Sequence, residues 1–457
     1  MTNSFKACLI VSLAALVQPH CHSFVSAQQH KIIRITSEDT LPSEVSIAIN
    51  PTDKANIVAV AMMRGAHGVT NHAFYSLDGG ETWGMSDAPN SGNRTQGDDA
   101  VRFDAKGAAL RSYISFSGLW SADPSQPRNG IFVAKSADKG KTWQEPATVV
   151  DHINTKSPFE DKPWLSIDNQ AKSPFANRAY IAWTRFDVYE SKNPQHHSQI
   201  MFSHSADEGK TFSPPMQVSD VGGDCRDDDN TVEGVVPAIG INGEVYLVWA
   251  GPRGLEFDKS TDGGKTFGKD KVLTDTPGGW NNTVKGVTRH NGMPVTAVDQ
   301  SPGKFRGTIY VNWIDERNDD KDVFIMYSRD AGETWSKPAR VNDDAVKNGK
   351  DQFFSWMAVD PIDGSINIVF YDRRDQEKTK TELTLARSID GGATFRNIKV
   401  DFPAFECFEP VFMGDYIGID AYDGLVVPAF THFQDKQHTA ISVAIFRFKP
   451  GTFDTRP

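Results

Sequence analysis

An eight-residue pattern, Ser-x-Asp-x-Gly-x-Thr-aromatic, occurs six times in this 457-residue chain and restricts its fold more than any other feature. In each copy the Asp side chain can accept backbone N–H groups of a turn, and the Gly can adopt a positive φ. The aromatic residue then begins the next strand as a large apolar anchor. Each copy is therefore predicted to be the turn of a β-hairpin. The copies are 76–83, 136–143, 205–212, 260–267, 328–335 and 388–395.

The spacing of the copies, roughly sixty residues, predicts a ring of similar antiparallel sheets. Four short alternating or apolar strands can be assigned to each repeat. After the sixth copy, residues 414–448 supply three more strands, and residues 31–36 form a strand that belongs to no repeat. Pairing this strand with the last three would close the ring without an exposed edge. The sequence therefore predicts an all-β, seven-bladed β-propeller with six of these hairpins. A six-bladed ring with a terminal appendage is the alternative.

The repeated pattern is the Asp-box, and residues 40–450 resemble the Asp-box (BNR-repeat) propellers of the sialidase superfamily. The resemblance implies that the boxes are structural and lie on the face away from the ligand. We call that face the box face. It also implies an exported, exo-alpha-sialidase-like hydrolase. The chain departs from the family in two ways. Ile33-Arg34-Ile35 lacks the proline of the Arg-Ile-Pro signature, and sialidases have six blades rather than seven.

The amino terminus is typical of a secretory signal at residues 1–27, followed by one propeller domain at 28–457. Lys6 precedes an apolar run, Ala7–Val17, and Val25-Ser-Ala27 provides small residues for cleavage. The protein is therefore expected to be secreted, periplasmic or extracellular. No later segment is apolar over a length that could span a bilayer.

The mature chain keeps two cysteines, Cys225 and Cys407. Export would permit a disulfide between them, and two buried free thiols are the alternative. The formal net charge is −11 and no basic run is present. This charge argues against binding to nucleic acid or to an anionic membrane surface. We expect a monomer whose partner is a carbohydrate.

Charged residues recur on the face opposite the boxes, where the loops enter each inner strand and leave each second strand. Carboxylates precede the inner strands and arginines follow the second strands. By the resemblance, Glu233 and Tyr416 occupy the strand-start positions of the family's catalytic Glu and Tyr. We predict a catalytic set and a set that binds an anionic sugar. The catalytic candidates are Glu233, Tyr416, Asp415 and Asp99, and the substrate-binding candidates are Arg64, Arg185, Arg253, Arg317 and Arg373. The alternative is that the two sets neutralise each other structurally.

The most acidic loop, residues 220–233, contains Asp227 and Asp229. These residues are candidate ligands for a structural Ca²⁺, which takes oxygen ligands, although EF-hand spacing is absent. A solvated turn is the alternative, and no other cofactor is predicted.

The favoured function is a glycoside hydrolase acting on acidic glycans. One alternative is a polysaccharide lyase acting on uronate-containing glycans, and another is a non-catalytic propeller that binds glycan or protein.

Overall fold

The computed structural model describes residues 30–37, 41–65, 68–87, 89–90, 94–119 and 126–455. All regular structure in these segments is β-strand, which confirms the predicted fold class. No helix with the length and apolar character of a membrane span occurs among them. The predicted signal sequence lies outside the described residues and stays a prediction.

Seven four-stranded antiparallel sheets form the blades of a propeller, and we label the strands of each blade A to D from the axis outward. Blade 1 contains Leu41–Ile49, Ile57–Gly65, Gly68–Ser76 and Gly84–Asp87. Blade 2 contains Thr95–Phe103, Ala109–Ser117, Arg128–Ser136 and Ala147–Ile153. Blade 3 contains Phe159–Ile167, Ala179–Phe186, Ser198–Ser205 and Met216–Gln217.

The next three blades follow the same order. Blade 4 contains Ala238–Ile239, Val245–Gly251, Gly254–Ser260 and Lys271–Thr274. Blade 5 contains Val295–Val298, Ile309–Asp315, Asp322–Ser328 and Ala339–Arg340. Blade 6 contains Gln352–Val359, Ile366–Asp372, Lys380–Ser388 and Arg396–Lys399, and Phe405–Glu406 also pairs with its strand C.

Blade 7 joins the two ends of the chain. Its strands A to C are Gly418–Tyr422, Leu425–Phe433 and Thr439–Arg447, and its strand D is His30–Arg34. The pairing runs from His30 opposite Phe446 to Arg34 opposite Ser442. This closure confirms the prediction of seven blades.

The six Asp-boxes form the C–D turns and have one hydrogen-bond pattern. In the first box, Asp78 Oδ1 accepts from the Thr82 N–H at 2.9 Å and Oδ2 accepts from the Thr82 hydroxyl at 2.6 Å. The Ser76 hydroxyl donates to Asp78 and accepts from the Gly80 N–H at 2.8 Å. The same bonds occur in the other five boxes. The boxes therefore tie their own turns, as predicted.

Strand A is irregular near its start in several blades, where the register with strand B shifts. A non-glycine residue there has a left-handed φ: Glu44 (55°), Asp98 (48°), Lys162 (47°) and Phe354 (47°). Such bulges redirect side chains. In this propeller they lie near the start of the innermost strand, beside the central axis and on the face opposite the boxes.

An aromatic plug of Trp164, Trp356 and Tyr416 packs across the axis. The ring centroid of Trp164 is 4.5 Å from that of Trp356 and 5.2 Å from that of Tyr416. All three side chains are buried and come from strands A of blades 3 and 6 and the loop that enters strand A of blade 7. The plug separates the axial channel into two mouths, one of which opens on the box face.

Cys225 and Cys407 are both buried free thiols, so the disulfide that export would permit is not formed between them. A hairpin of Asn281–Asn282 and His290–Asn291 is inserted between blades 4 and 5. It carries Arg289 toward the axis on the face opposite the boxes.

Candidate functional site

Eight charged side chains meet at the axis on the face opposite the boxes, above the aromatic plug. Four come from strands A of blades 1 to 3, and the others come from loops and from the inserted hairpin. We call them the axial cluster: Glu44, Asp98, Asp161, Lys162, Asp227, Glu233, Arg289 and Asp415. Six carboxyl groups against two cations make this cluster acidic unless some of the acids hold protons.

Lys162 is the central cation of the axial cluster. Its Nζ lies 2.8 Å from Glu233 Oε1 and 3.3 Å from Asp415 Oδ2, and only 3% of its side chain is exposed. Burial alone would lower the pKa of Lys162, but Glu233, Asp161 and Asp415 hold it well above its ordinary value. Lys162 is therefore a fixed positive charge that links blades 3, 4 and 7.

Arg289 is the outer cation, with 38% of its side chain exposed. Its Nε donates to Asp415 Oδ1 at 2.8 Å, its Nη2 contacts Asp415 Oδ2, and its Nη1 donates to Asp227 Oδ2 at 3.1 Å. The Tyr189 hydroxyl also donates to Asp227 Oδ2, at 2.7 Å. The arginine thus bridges two carboxylates and presents its remaining surface to the solvent.

Two carboxyl groups of the cluster are held in the ionised form. Burial favours the neutral form of Asp415, yet Arg289 and Lys162 hold its pKa below the ordinary value. Asp227 is similar: burial opposes ionisation, but Lys162 and Arg289 lower its pKa to about 2.

Three other carboxyl groups are held toward the protonated form. Burial and the nearby Asp415 raise the pKa of Glu44 to about 7. Burial, Glu44 and Asp161 raise the pKa of Asp98 well above its ordinary value. Burial and Asp227 do the same for the pKa of Glu233, against the effect of Lys162. Neighbouring acids of opposite protonation are the arrangement that acid–base catalysis needs.

Glu44 and Asp98 are also free to meet a ligand. Both side chains are almost buried, and no described residue donates a hydrogen bond to either carboxyl group. Glu44 packs closely on Gly414, where an added Cβ would lie 3.0 Å from Glu44 Cγ and 2.8 Å from its backbone N. The glycine therefore allows the Glu44 side chain to reach the axis.

The catalytic candidates from the sequence separate into two groups. Glu233 and Asp415 belong to the axial cluster. Tyr416 lies in the plug, where its hydroxyl donates to the Asp99 backbone oxygen at 3.3 Å. The Asp99 carboxylate lies inside blade 2, 2.9 Å from Arg111 Nη2, and both side chains are fully buried. The Asp99 carboxylate is thus directed away from the axis, whereas Tyr416 lies directly below the cluster, where burial together with Glu44, Asp98 and Asp415 raises the pKa of its hydroxyl well above the ordinary value.

The five predicted substrate-binding arginines do not converge on the axis. Three pair with carboxylates of their own blades: Arg185 with Glu160, Arg253 with Glu256, and Arg317 with Asp315. Arg373 is buried against the ring of Phe353 and donates to the Thr381 hydroxyl at 3.1 Å. Arg64 is exposed at the end of strand B of blade 1. These contacts agree with the structural alternative.

The predicted calcium ligands have other partners in the structure. Asp227 contacts Arg289 and Tyr189, and Asp229 Oδ1 accepts from the Asn281 N–H at 2.8 Å. Within the described segments, no group of three or more His, Cys, Asp or Glu side chains is arranged to hold a metal ion. The residues present therefore do not fit a calcium ion.

Sequence reasoning missed Lys162 and Arg289 as functional residues. Lys162 follows Glu160 and Asp161 in strand A of blade 3, so its position was recognisable, but its orientation depends on the bulge. Arg289 lies in the hairpin outside the repeat, and no sequence signal assigned it to the axis.

Comparisons with known proteins agree with this architecture. The sequence model of the BNR/Asp-box repeat matches residues 326–337, which overlap the fifth box. No curated protein matches the chain. The chain is thus an Asp-box β-propeller, of seven blades.

Several solved structures share the fold. A protein of unknown function from Dyadobacter fermentans is 13% identical, with a TM-score of 0.50, over 91% of this chain and 97% of that one. An ulvan lyase of a polysaccharide lyase family, bound to -[GlcA(1-4)Rha3S]-, is 12% identical, with a TM-score of 0.50, over 93% and 98%. A sialidase from Streptococcus pneumoniae is 9% identical, with a TM-score of 0.49, over 91% and 97%. At these identities the likeness concerns the fold alone.

Proposed function

We propose that the axial cluster cleaves glycosidic bonds, so that the protein is an exported glycoside hydrolase. The observation that carries this proposal is the pair of acids Glu44 and Asp98, which accept no hydrogen bond from the described residues and whose pKa values are raised, beside the ionised Asp415. A glycosidase needs one carboxylic acid to protonate the leaving oxygen and one carboxylate to assist water or attack the sugar. The cluster offers both states within one mouth of the channel.

The roles follow from the environments. Glu44 or Asp98 would donate the proton to the glycosidic oxygen, because each is held toward the neutral form. Asp415, held ionised by Arg289 and Lys162, would act as the base or stabilise positive charge on the sugar ring. Sugar hydroxyls would bond to the surrounding carboxylates. The ulvan lyase that shares the fold is bound to -[GlcA(1-4)Rha3S]-, which supports a carbohydrate ligand for this chain.

An acidic sugar is the substrate class we propose, and Arg289 is the residue that supports it. The half-exposed guanidinium is the cation that a sugar carboxylate could approach from solvent. Its contacts with Asp415 and Asp227 limit this attraction, so hydroxyl recognition would contribute more than charge.

A lyase acting on a uronate-containing glycan is the second candidate, and the same region favours it. Arg289 could neutralise the uronate carboxylate. The Tyr189 hydroxyl is close to Arg289, because both donate to Asp227 Oδ2. A lyase would produce an unsaturated uronate with a distinct ultraviolet absorbance. A hydrolase would release reducing ends without that absorbance.

The decisive experiment measures turnover on a panel of sialylated, uronate-containing, sulfated and neutral glycans. We expect Glu44→Gln or Asp98→Asn, whichever replaces the proton donor, to lower kcat by a factor of about 100 or more, since the change removes only the transferable proton. Substrate binding should be kept. Glu333→Gln, on the box face, is the matched control and should leave kcat unchanged. Binding without turnover by the native protein would instead support the non-catalytic alternative.

A further inference from the structure

The second mouth of the channel, on the box face, contains a cavity of about 440 Å³. It lies below the aromatic plug and is lined by the ends of strands A and by the A–B turns that follow them. Its walls include the apolar side chains of Ile49, Phe103 and Ile167 and the ring of Tyr422. The volume is within the usual range of small-molecule sites, ~300–1,000 Å³. Nothing in the axial cluster reaches it.

One cation, Arg102, faces this cavity with most of its hydrogen-bonding capacity unused. Its Nη1 donates to the Val101 backbone oxygen at 2.8 Å, and no other described group accepts from its guanidinium. No described carboxylate lies within ion-pair distance of it. A guanidinium has five N–H donors in a planar fork that matches a carboxylate. Burial lowers the pKa of Arg102, whereas the nearby Asp420 raises it. The guanidinium stays charged, because arginine does not lose its proton in proteins.

Polar groups around Arg102 are also arranged for a ligand. Asn169 donates to the Phe103 backbone oxygen at 2.9 Å, which aligns the amide, while its buried Oδ1 has no hydrogen-bond partner. Gln300 is anchored by a 2.9 Å bond to the Ile239 oxygen. Asp420 is held by the N–H groups of Ile49 and Ala421, at 2.7 and 2.9 Å.

We propose that this cavity binds a small hydroxylated carboxylate, such as a sugar acid. The carboxylate lies on the free edge of Arg102, and hydroxyl groups donate to Asn169 Oδ1 and to the Asp420 carboxylate. The apolar wall packs against the carbon skeleton of the ligand. This choice gives Arg102, which has no ion-pair partner within the described residues, a carboxylate, and it gives the acceptor groups Asn169 Oδ1 and Asp420 hydroxyl donors.

Calorimetric titration with glucuronate, with neutral glucose as the matched control, tests this site on the whole protein. We expect glucuronate to bind at the cavity and glucose to bind there at least about tenfold more weakly. Arg102→Gln should weaken glucuronate binding by about tenfold or more. Gln170→Glu, which places a negative charge on the cavity wall, should weaken it as well without removing a buried group.

A variant of the opposite mouth separates the two sites. Arg289→Gln removes the cation of the axial cluster that an acidic sugar could approach, and it should leave the part of the glucuronate binding that Arg102→Gln weakens. The proposal is overturned if glucuronate does not bind, if glucose binds equally, or if Arg289→Gln alone abolishes binding. Thermal melts show whether Arg102→Gln and Gln170→Glu fold. If Arg102→Gln does not fold, Gln170→Glu decides the result. The outcome is independent of whether the axial cluster is catalytic.

Discussion

Glu44 couples the stability of the protein to pH. Burial raises the pKa of Glu44 from 4.5 to about 7, so the folded chain holds a proton that the unfolded chain releases. Its stabilising contribution is complete below about pH 4.5 and is lost as the pH rises through about 7. We expect the melting temperature to fall over that range, and to fall less in Glu44→Gln. At about pH 8 the variant should be the more stable protein. Parallel melting curves for both proteins would contradict this assignment.

Arg185 is expected to act on stability rather than on binding. Its guanidinium contacts the fully buried Glu160, at 2.6 and 2.9 Å, and Glu160 also accepts from Trp183. Arg185→Ala leaves a buried carboxylate short of partners and should cost about 3 kcal/mol in unfolding experiments with denaturant. The exposed Arg64 is the matched control, and Arg64→Ala should change stability by less than about 0.5 kcal/mol. A stable Arg185→Ala that loses glycan binding would restore its predicted role in substrate binding.

Among the elements, the box hairpins were predictable and the axial bulges were not. A box fixes its turn through bonds within eight residues, so sequence spacing alone located all six. At the axis, one extra residue in strand A decides which of two adjacent side chains faces the channel. Asp98 faces the cluster, whereas Asp99 points into blade 2 toward Arg111. The left-handed residues are Glu, Asp, Lys and Phe rather than Gly, so their identities give no warning of this conformation.

The box hairpins should support stability without affecting turnover. Asp78→Ala removes the acceptor of the Thr82 N–H and hydroxyl bonds, which lie near the solvent, and should cost about 1 kcal/mol. Thr82 holds the pKa of Asp78 at about 2, below its ordinary 3.8, so this stabilisation is present above about pH 3.8 and is lost toward pH 2. Denaturant unfolding at neutral and acidic pH measures the difference. An unchanged stability with lost turnover would place the box in the site.

At the scale of the molecule, the ring was predicted correctly because closure leaves no unpaired edge, and the seventh blade follows from counting strands. The composition of the site was predicted only in part, through residues such as Glu233 and Asp415, because the cluster combines side chains more than a hundred residues apart in the chain. Arg289 and Asp415, for example, meet only when the inserted hairpin and blade 7 reach the axis from different sides. The predicted arginines do not meet at the axis, and three of them, Arg185, Arg253 and Arg317, pair with carboxylates of their own blades.

Closure of the ring gives the last prediction. Strand D of blade 7, His30–Arg34, pairs along its whole length with Thr439–Arg447, and Thr36 accepts from the Ile441 N–H at 3.0 Å. Deleting residues 28–36 exposes the edge of that strand, removes the link between the chain ends, and leaves apolar surface that pairs with other molecules. We expect a lower melting temperature and aggregation in light scattering. Deleting residues 1–29 is the control and should preserve both properties. A truncated ring that melts like the control and stays monodisperse would show that three strands suffice to close blade 7.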